Sequence, residues 1–242
     1  MASPASDAVN LAVIPAKARS TRFPGKNVAL LAGKPLLIHA VDVARESGLF
    51  DAVVVSTDDS TLAELARTAG AEVPFIRDSA LSGDTVEVPA VVRNVVEWYQ
   101  HNRDRQFQWV CVLQPTCPLR TTADLVDSQR LLHEHPRADV VVSVSKYHHH
   151  PYWALRIEDD RIVPDRPESA TRSRQRLPEL CHPDGTVYWW RTAWLMSMEN
   201  IYDGIVIPYR TPADSMLDID YPDDLKYAEW RMQLRAGRAH SN

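Results

Sequence analysis

Short apolar runs alternating with amphipathic segments constrain this chain more than any other feature. Leu11-Ala-Val-Ile-Pro15 is an apolar run that stops at a proline and a basic loop, the pattern of a buried strand entering a turn. Pro35 opens a segment with Leu36, Leu37, Ala40, Val41 and Ala44 at helical spacing, and Gly48 closes it. Val53 to Ser56 predicts a second strand, 60–69 a helix capped by Ser60 and closed by Gly70, and 72–76 a short strand. After the polar turn Ser82-Gly-Asp-Thr85 the spacing predicts a helix over 86–99, a strand over 109–113, a helix from Thr121 or Thr122 to about residue 135, and a Val-rich strand over 139–145. Strands and helices alternating at this pitch imply a Rossmann-like α/β fold, a mostly parallel sheet with helices on both faces. In such sheets ligands bind beyond the carboxyl ends of the strands, which directs attention to the loops after Pro15, Ser56 and Leu113.

From Lys146 to about Leu180 this pattern dissolves into His, Pro, Arg and aromatic residues without a period, a length of irregular chain that is usually functional or packed on a partner. Strand character returns at 187–190 and 204–208, and Pro222 opens a last helix to about Arg235. The reading is a single domain over 8–235 with an irregular arm at 146–188, and disordered tails at 1–7 and 236–242. Composition agrees: 242 residues with 45% hydrophobic and 24% charged describe a soluble globular chain. A net charge of -5 disfavours a nucleic-acid binder. Cys111, Cys117 and Cys181 fit neither a disulfide framework nor a zinc site, and neither a signal peptide nor a membrane span is visible, so the expected setting is the reducing cytoplasm.

Three segments carry chemistry. In Ile14-Pro-Ala-Lys-Ala-Arg-Ser-Thr-Arg-Phe-Pro-Gly-Lys-Asn27, the cations Lys17, Arg19, Arg22 and Lys26 leave the first strand with no acid among them. Such a loop suits a polyphosphate held by side chains, or it is a solvated basic loop. Neither glycine fingerprint for dinucleotides or P-loops is present. In Asp218-Ile-Asp220 alternation puts both carboxylates on one side, able to hold Mg²⁺ against phosphate oxygens or to cap the helix at Pro222. Leu113-Gln-Pro-Thr-Cys-Pro-Leu-Arg120 ends a strand in a double-proline turn, with Arg120 either meeting an anion or completing a rigid connection.

These segments, with Arg174-Gln-Arg-Leu-Pro178 and Asp184-Gly-Thr-Val-Tyr188, occur in the order seen in the acylneuraminate cytidylyltransferases, and the chain resembles that family over essentially its whole length. The resemblance implies the fold of the nucleotide-diphospho-sugar transferases and transfer of CMP from CTP to an anionic acid such as a sialic or related nonulosonic acid, with release of pyrophosphate. It implies that Lys17, Arg22 and Lys26 act on the triphosphate. Ala16, Ser20, Asn27, Arg77, Asp84, Thr85 and Val86 would bind the nucleotide. Gln114, His150, Arg174 and Tyr188 would face the acid, with Arg174 suited to a carboxylate, and Asp218 and Asp220 would hold Mg²⁺. It implies a homodimer in which the arm 146–188 packs on the second subunit.

Departures qualify the acid more than the nucleotide. The loop Arg19-Ser-Thr-Arg22 is similar to that of the 3-deoxy-octulosonate enzymes, Trp153 stands at a frequently basic position, Asp184 replaces the usual Asn, and Cys117 replaces Ser as a small packing residue. A related enzyme for a small phosphonate is the alternative, and a non-catalytic nucleotide-binding protein the third reading. The adjacent His148, His149 and His150 cannot all face one point in an extended chain, which argues against a metal triad.

Overall fold

The computed structural model describes residues 9–239. Its strands are β1 (Asn10–Pro15), β2 (Leu30–Leu31), β3 (Lys34–Pro35), β4 (Ala52–Ser56), β5 (Trp109–Val112), β6 (Val140–Lys146), β7 (Leu155–Glu158), β8 (Arg161–Pro164), β9 (Cys181–Arg191) and β10 (Val206–Arg210). Its helices are α1 (Leu36–Ser47), α2 (Ser60–Thr68), α3 (Val88–Arg103), α4 (Thr122–Glu134), α5 (Thr192–Ser197) and α6 (Pro222–Ala239). Six strands form the main sheet in the order β10-β6-β9-β5-β1-β4. All are parallel except β9, which runs antiparallel between β5 and β6.

Alternation along the strands divides the core. Ala12 and Ile14 of β1 face α1, α2 and α4, through Leu37, Val41, Ala63 and Leu125, whereas Leu11 and Val13 face α3, through Val92, Val95 and Tyr99. The consecutive Trp189 and Trp190 of β9 go to opposite layers. The Trp189 indole stacks on Phe50 at 5.4 Å and donates to Ser128 Oγ at 3.0 Å. A smaller cluster of Leu31, Leu36, Ile219 and Ala228 seats α6 against β2.

The sheet and its helices match the expected layers, with local differences. Residues 72–76 make only one bridge, Val54 to Glu72, because the segment is too short to extend the ladder. The cap of α2 is Asp59, whose side chain accepts from Leu62 N–H at 2.8 Å, and Ser60 is the first helical residue. At α4, of the two candidates Thr121 and Thr122 it is Thr121 that caps, in a reciprocal box with Asp124. Helix α3 starts and ends later than expected, at Val88 and Arg103.

The largest correction concerns the arm. Residues 181–188 are the first part of β9, a central strand, so the arm is confined to 147–180. Nor is it wholly irregular. Strands β7 and β8 pair as a hairpin whose turn, Asp159-Asp160, has both φ angles positive, as a two-residue hairpin turn requires. Helix α6 reaches Ala239, so 236–239 are helical rather than tail, while the expectations for 1–7 and 240–242 lie outside the described residues.

Candidate active site

The loops that leave the carboxyl ends of β1, β4 and β5 converge on a cleft of about 500 Å³. The loop after β1 contributes Lys17, Ser20, Arg22, Lys26 and Asn27; Gln114 and Thr116 follow β5; and Arg77, Asp84 and Val86 come from the stretch between α2 and α3. The loop after β4 acts from behind. Asp58 accepts the Ala18 N–H at 2.8 Å and lies 3.9 Å from the Arg77 guanidinium, while Arg77 Nη1 donates to the Ser56 carbonyl at 3.2 Å. Burial lowers the Arg77 guanidinium pKa, and the charge of Asp58 opposes that shift. Asn27 braces the loop from within, its amide donating to the Lys17 carbonyl at 2.8 Å.

Cations and carboxylates far apart in sequence meet here. Residues 17–34 carry five basic side chains and no acid, whereas 212–224 carry five acids and no base. Lys26 Nζ lies 3.3 Å from Asp220 Oδ1 and donates to the Ile219 carbonyl at 2.9 Å, and Arg22 Nη2 reaches the same carboxylate at 3.0 Å. Lys17 pairs with Asp84 at 2.5 Å. Ile219 is fully buried between Asp218 and Asp220, and its N–H donates to the Thr116 carbonyl at 2.8 Å, tying the acidic segment to the turn after β5. Partial desolvation pushes the carboxyl of Asp218, a residue that still meets solvent, above its usual range and Asp220 adds to this, while Thr116, Lys26 and Arg22 pull it down.

Two adjacent carboxylates beside a phosphate-sized cleft fit Mg²⁺, which commonly takes one or two protein carboxylates and completes its shell with phosphate and water. Among the described residues no group of three or more His, Cys, Asp and Glu side chains could hold a metal by itself.

A second chamber of about 560 Å³ adjoins the cleft, and Val86, Val88 and Gln114 line both. Its far walls come from α3, from Tyr188 and Trp190 of β9, and from Met198 to Tyr202 after α5. Arg93 is the single cation among the described residues lining it, and its Nε donates to the Leu195 carbonyl at 2.7 Å and its Nη2 to that of Met198. Burial raises the Tyr188 hydroxyl pKa, and the neighbouring Cys117 and Asp184 add to this.

The expected residues thus fall into groups. Lys17, Ser20, Arg22, Lys26, Asn27, Arg77, Asp84 and Val86 line the cleft, Gln114 stands at the junction, and Tyr188 lines the chamber. Asp218 and Asp220 reach the cleft through Lys26, Arg22 and Thr116, and Ala16 and Thr85 lie outside both linings.

His150 and Arg174 are not brought to either cavity of their own chain. His150 Nδ1 accepts the Tyr152 N–H at 3.2 Å and its Nε2 donates to the Pro178 carbonyl at 3.0 Å. Arg174 donates to the carbonyls of His148 at 2.9 Å and Tyr147 at 2.7 Å. Arg120 is buried under the turn, not poised for a ligand, and donates to the Gln114 carbonyl at 2.7 Å. Cys117 is fully buried, which pushes its thiol up to about 12, as expected of an inert packing residue.

Sequence reasoning missed Thr116, Arg93, Trp190, Met198 and Tyr202. The LQPTCPLR segment pointed to Thr116, whereas nothing local marks the chamber walls.

A mostly parallel sheet with a polyphosphate-sized, cation-lined cleft at its carboxyl edge defines a nucleotidyltransferase. Its fold is that of the CMP:2-keto-3-deoxy-manno-octonic acid synthetase complexed with CTP, with a TM-score of 0.72 at 17% identity, covering 94% of this chain and 100% of that one. A 4-diphosphocytidyl-2C-methyl-D-erythritol synthase matches with a TM-score of 0.67 at 17% identity, covering 93% and 99%.

A family model described as cytidylyltransferase matches residues 11–154, and the chain belongs to that family. It is 30% identical over 221 residues to the pseudaminic acid cytidylyltransferase of Campylobacter jejuni, covering 91% of this chain and 94% of that protein. It is 33% identical over 234 residues to the CMP-N,N'-diacetyllegionaminic acid synthase of Legionella pneumophila, covering 93% and 96%.

Proposed function

We propose that the protein transfers CMP from CTP to a nonulosonic acid and releases pyrophosphate. The observation that carries this reading is the pair of cavities sharing Gln114, Val86 and Val88, which would place a nucleotide and a sugar-sized acid against each other. An oxygen of the acid attacks the α-phosphorus, the bond to pyrophosphate breaks in line, and the proton passes to solvent. The work of the protein is positioning and charge stabilisation, by Lys17, Arg22 and Lys26 on the phosphates and by Gln114 on the acid. Mg²⁺ held by Asp218 and Asp220 would supply charge compensation on the triphosphate.

The chamber favours a sugar acid over a small phosphonate. Its volume exceeds the needs of a small phosphonate, it contains Glu87 and Glu199, and Arg93 is spent on backbone carbonyls. The related proteins named for pseudaminic and legionaminic acids support the same choice.

The hairpin leaves Ile157 at 80% and Ile162 at 68% exposure, a cross-strand pair on one face. An isolated hairpin is marginal in water, so this apolar face supports a homodimer in which the arm, with His150 and Arg174, completes the partner's chamber. Among the described residues no helix is long and apolar enough to cross a membrane, and the three unpaired cysteines support a cytoplasmic setting.

The test is pyrophosphate release with CTP, ATP, GTP and UTP across a panel of nonulosonic acids, an octulosonic acid and small phosphonates. Turnover restricted to CTP and a nonulosonic acid is expected. Equal rates with all four nucleotides, or turnover with phosphonates alone, would refute the reading.

A further inference from the structure

The wall between the two cavities rests on an irregularity in β9. Between the pairs Val142–Tyr188 and Val144–Pro183, β6 spends Ser143 alone while β9 spends residues 184–187. Pro183 and Tyr188, which flank this bulge, both line the chamber. Within it Gly185 takes φ +78°, and a Cβ there would lie 3.2 Å from Cys117 Sγ and 3.7 Å from the amide carbon and nitrogen of Gln114. The bulge backbone is therefore the seat on which the shared side chain of Gln114 rests.

Asp184 ties the bulge together. It is 7% exposed, its Oδ1 accepts the Thr186 N–H at 3.0 Å, and its Oδ2 accepts the Ser145 hydroxyl at 2.5 Å, so one carboxylate joins β9 to β6. Burial disfavours its charge, but the hydroxyls of Ser145, Thr211 and Ser143 and the Thr186 amide outweigh that and hold it below the usual carboxylate range. Buried Arg120 grips the Gln114 carbonyl, and Asp184 is among the carboxylates whose charge acts on it. Asp184 itself lines neither cavity.

We propose that Asp184 is a positioning residue for the transfer reaction. By closing the β9 bulge it sets Gly185 beneath Gln114 and aims Tyr188 into the chamber, and so fixes where the acid sits relative to the nucleotide. This rests on the assignment of the chamber to the acid. Closure needs an acceptor for the Thr186 N–H and a bond to the Ser145 hydroxyl; an Asn supplies the first through its oxygen and the second by donating its NH2 to that hydroxyl, so geometry rather than charge is the essential property.

The experiment is steady-state kinetics with CTP and either N-acetylneuraminate or N,N'-diacetyllegionaminate, whichever the wild type turns over, alongside calorimetric CTP binding. Asp184→Ala is expected to raise the KM for the acid about tenfold or more while CTP affinity stays within about twofold, because misplacement of a wall acts on the ligand it seats. Asp184→Asn is expected to remain within about threefold of wild type.

Should Asp184→Ala not fold, Gly185→Ala leaves the tie intact and crowds Cys117 and Gln114. It should raise the acid KM, through that contact and through the strain of a Cβ at φ +78°, and Cys117→Ala in the same chain should relieve only the part due to the contact. An unchanged acid KM, an equal loss of CTP affinity, or an Asp184→Asn variant as impaired as Asp184→Ala would overturn the inference. A wild type silent with every acid overturns the functional reading instead.

Discussion

Lys26 and Lys17 both face the cleft, yet they are anchored differently, and replacing each by Met separates catalysis from stability. The Lys26 side chain is 13% exposed, with Nζ 3.3 Å from Asp220 Oδ1 and a second bond to the Ile219 carbonyl. At an effective dielectric of about 20 the gross attraction is about 5 kcal/mol, and desolvation returns most of it. Asp220 is 30% exposed, so the net loss of stability on Lys26→Met should be about 1–2 kcal/mol. For a chain of this size that corresponds to a fall in Tm of about 2–8 °C. Lys17 and Asp84 are 34% and 60% exposed, and such a pair contributes about 0–1 kcal/mol, so Lys17→Met should leave Tm nearly unchanged. Both variants should lose about 10²–10³ in kcat/KM for pyrophosphate release, or about 2.7–4 kcal/mol of transition-state stabilisation. Thermal denaturation in EDTA gives the first quantity and a coupled pyrophosphate assay the second. Equal Tm losses, or a kcat/KM within tenfold of wild type for Lys26→Met, would refute the assignment of Lys26 to both roles.

Two further outcomes follow from burial and exposure. Ile157→Glu combined with Ile162→Glu should convert the proposed dimer to a monomer in sedimentation velocity without loss of helical signal; a wild type that sediments as a monomer would remove the dimer, and a dimer that survives both charges would remove the hairpin from the interface. The depressed carboxyl of Asp184 contributes stability that is present above its unfolded-state pKa and lost as pH falls toward its folded-state value. The urea midpoint of wild type should therefore exceed that of Asp184→Asn at neutral pH and approach it in acid, whereas a difference constant with pH would contradict the burial of a charged Asp184.

Much of this molecule is local enough to be seen in its sequence. The run 11–15, the cap at Thr121 and the stop at Gly48 act within one turn or strand, where propensity and hydrogen bonding decide the outcome. The cationic loop and the turn after β5 follow directly from strand ends, so Lys17, Lys26 and Gln114 could be found without coordinates. Other features depended on partners. Residues 72–76 have strand composition but too little length to pair, and 181–186, a run of Cys, His, Pro, Asp, Gly and Thr, show no alternation because the bulge breaks their register. In the sequence Arg120 is open between meeting an anion and completing a rigid connection, and its burial and its bond to the Gln114 carbonyl favour the connection.

The sequence by itself determined the layers of the sheet, the loops in which ligands are to be sought and the segregation of charge between 17–34 and 212–224, because those properties depend on the order of residues within each segment. Only the tertiary structure decided that Lys26 and Arg22 share Asp220, and that α3, β9 and the loop after α5 enclose a chamber against the cleft. Those contacts exist because β9 enters antiparallel between β5 and β6 and carries Tyr188 beside Val112 at the carboxyl end of β5, a pairing between strands far apart in the chain that no local pattern encodes.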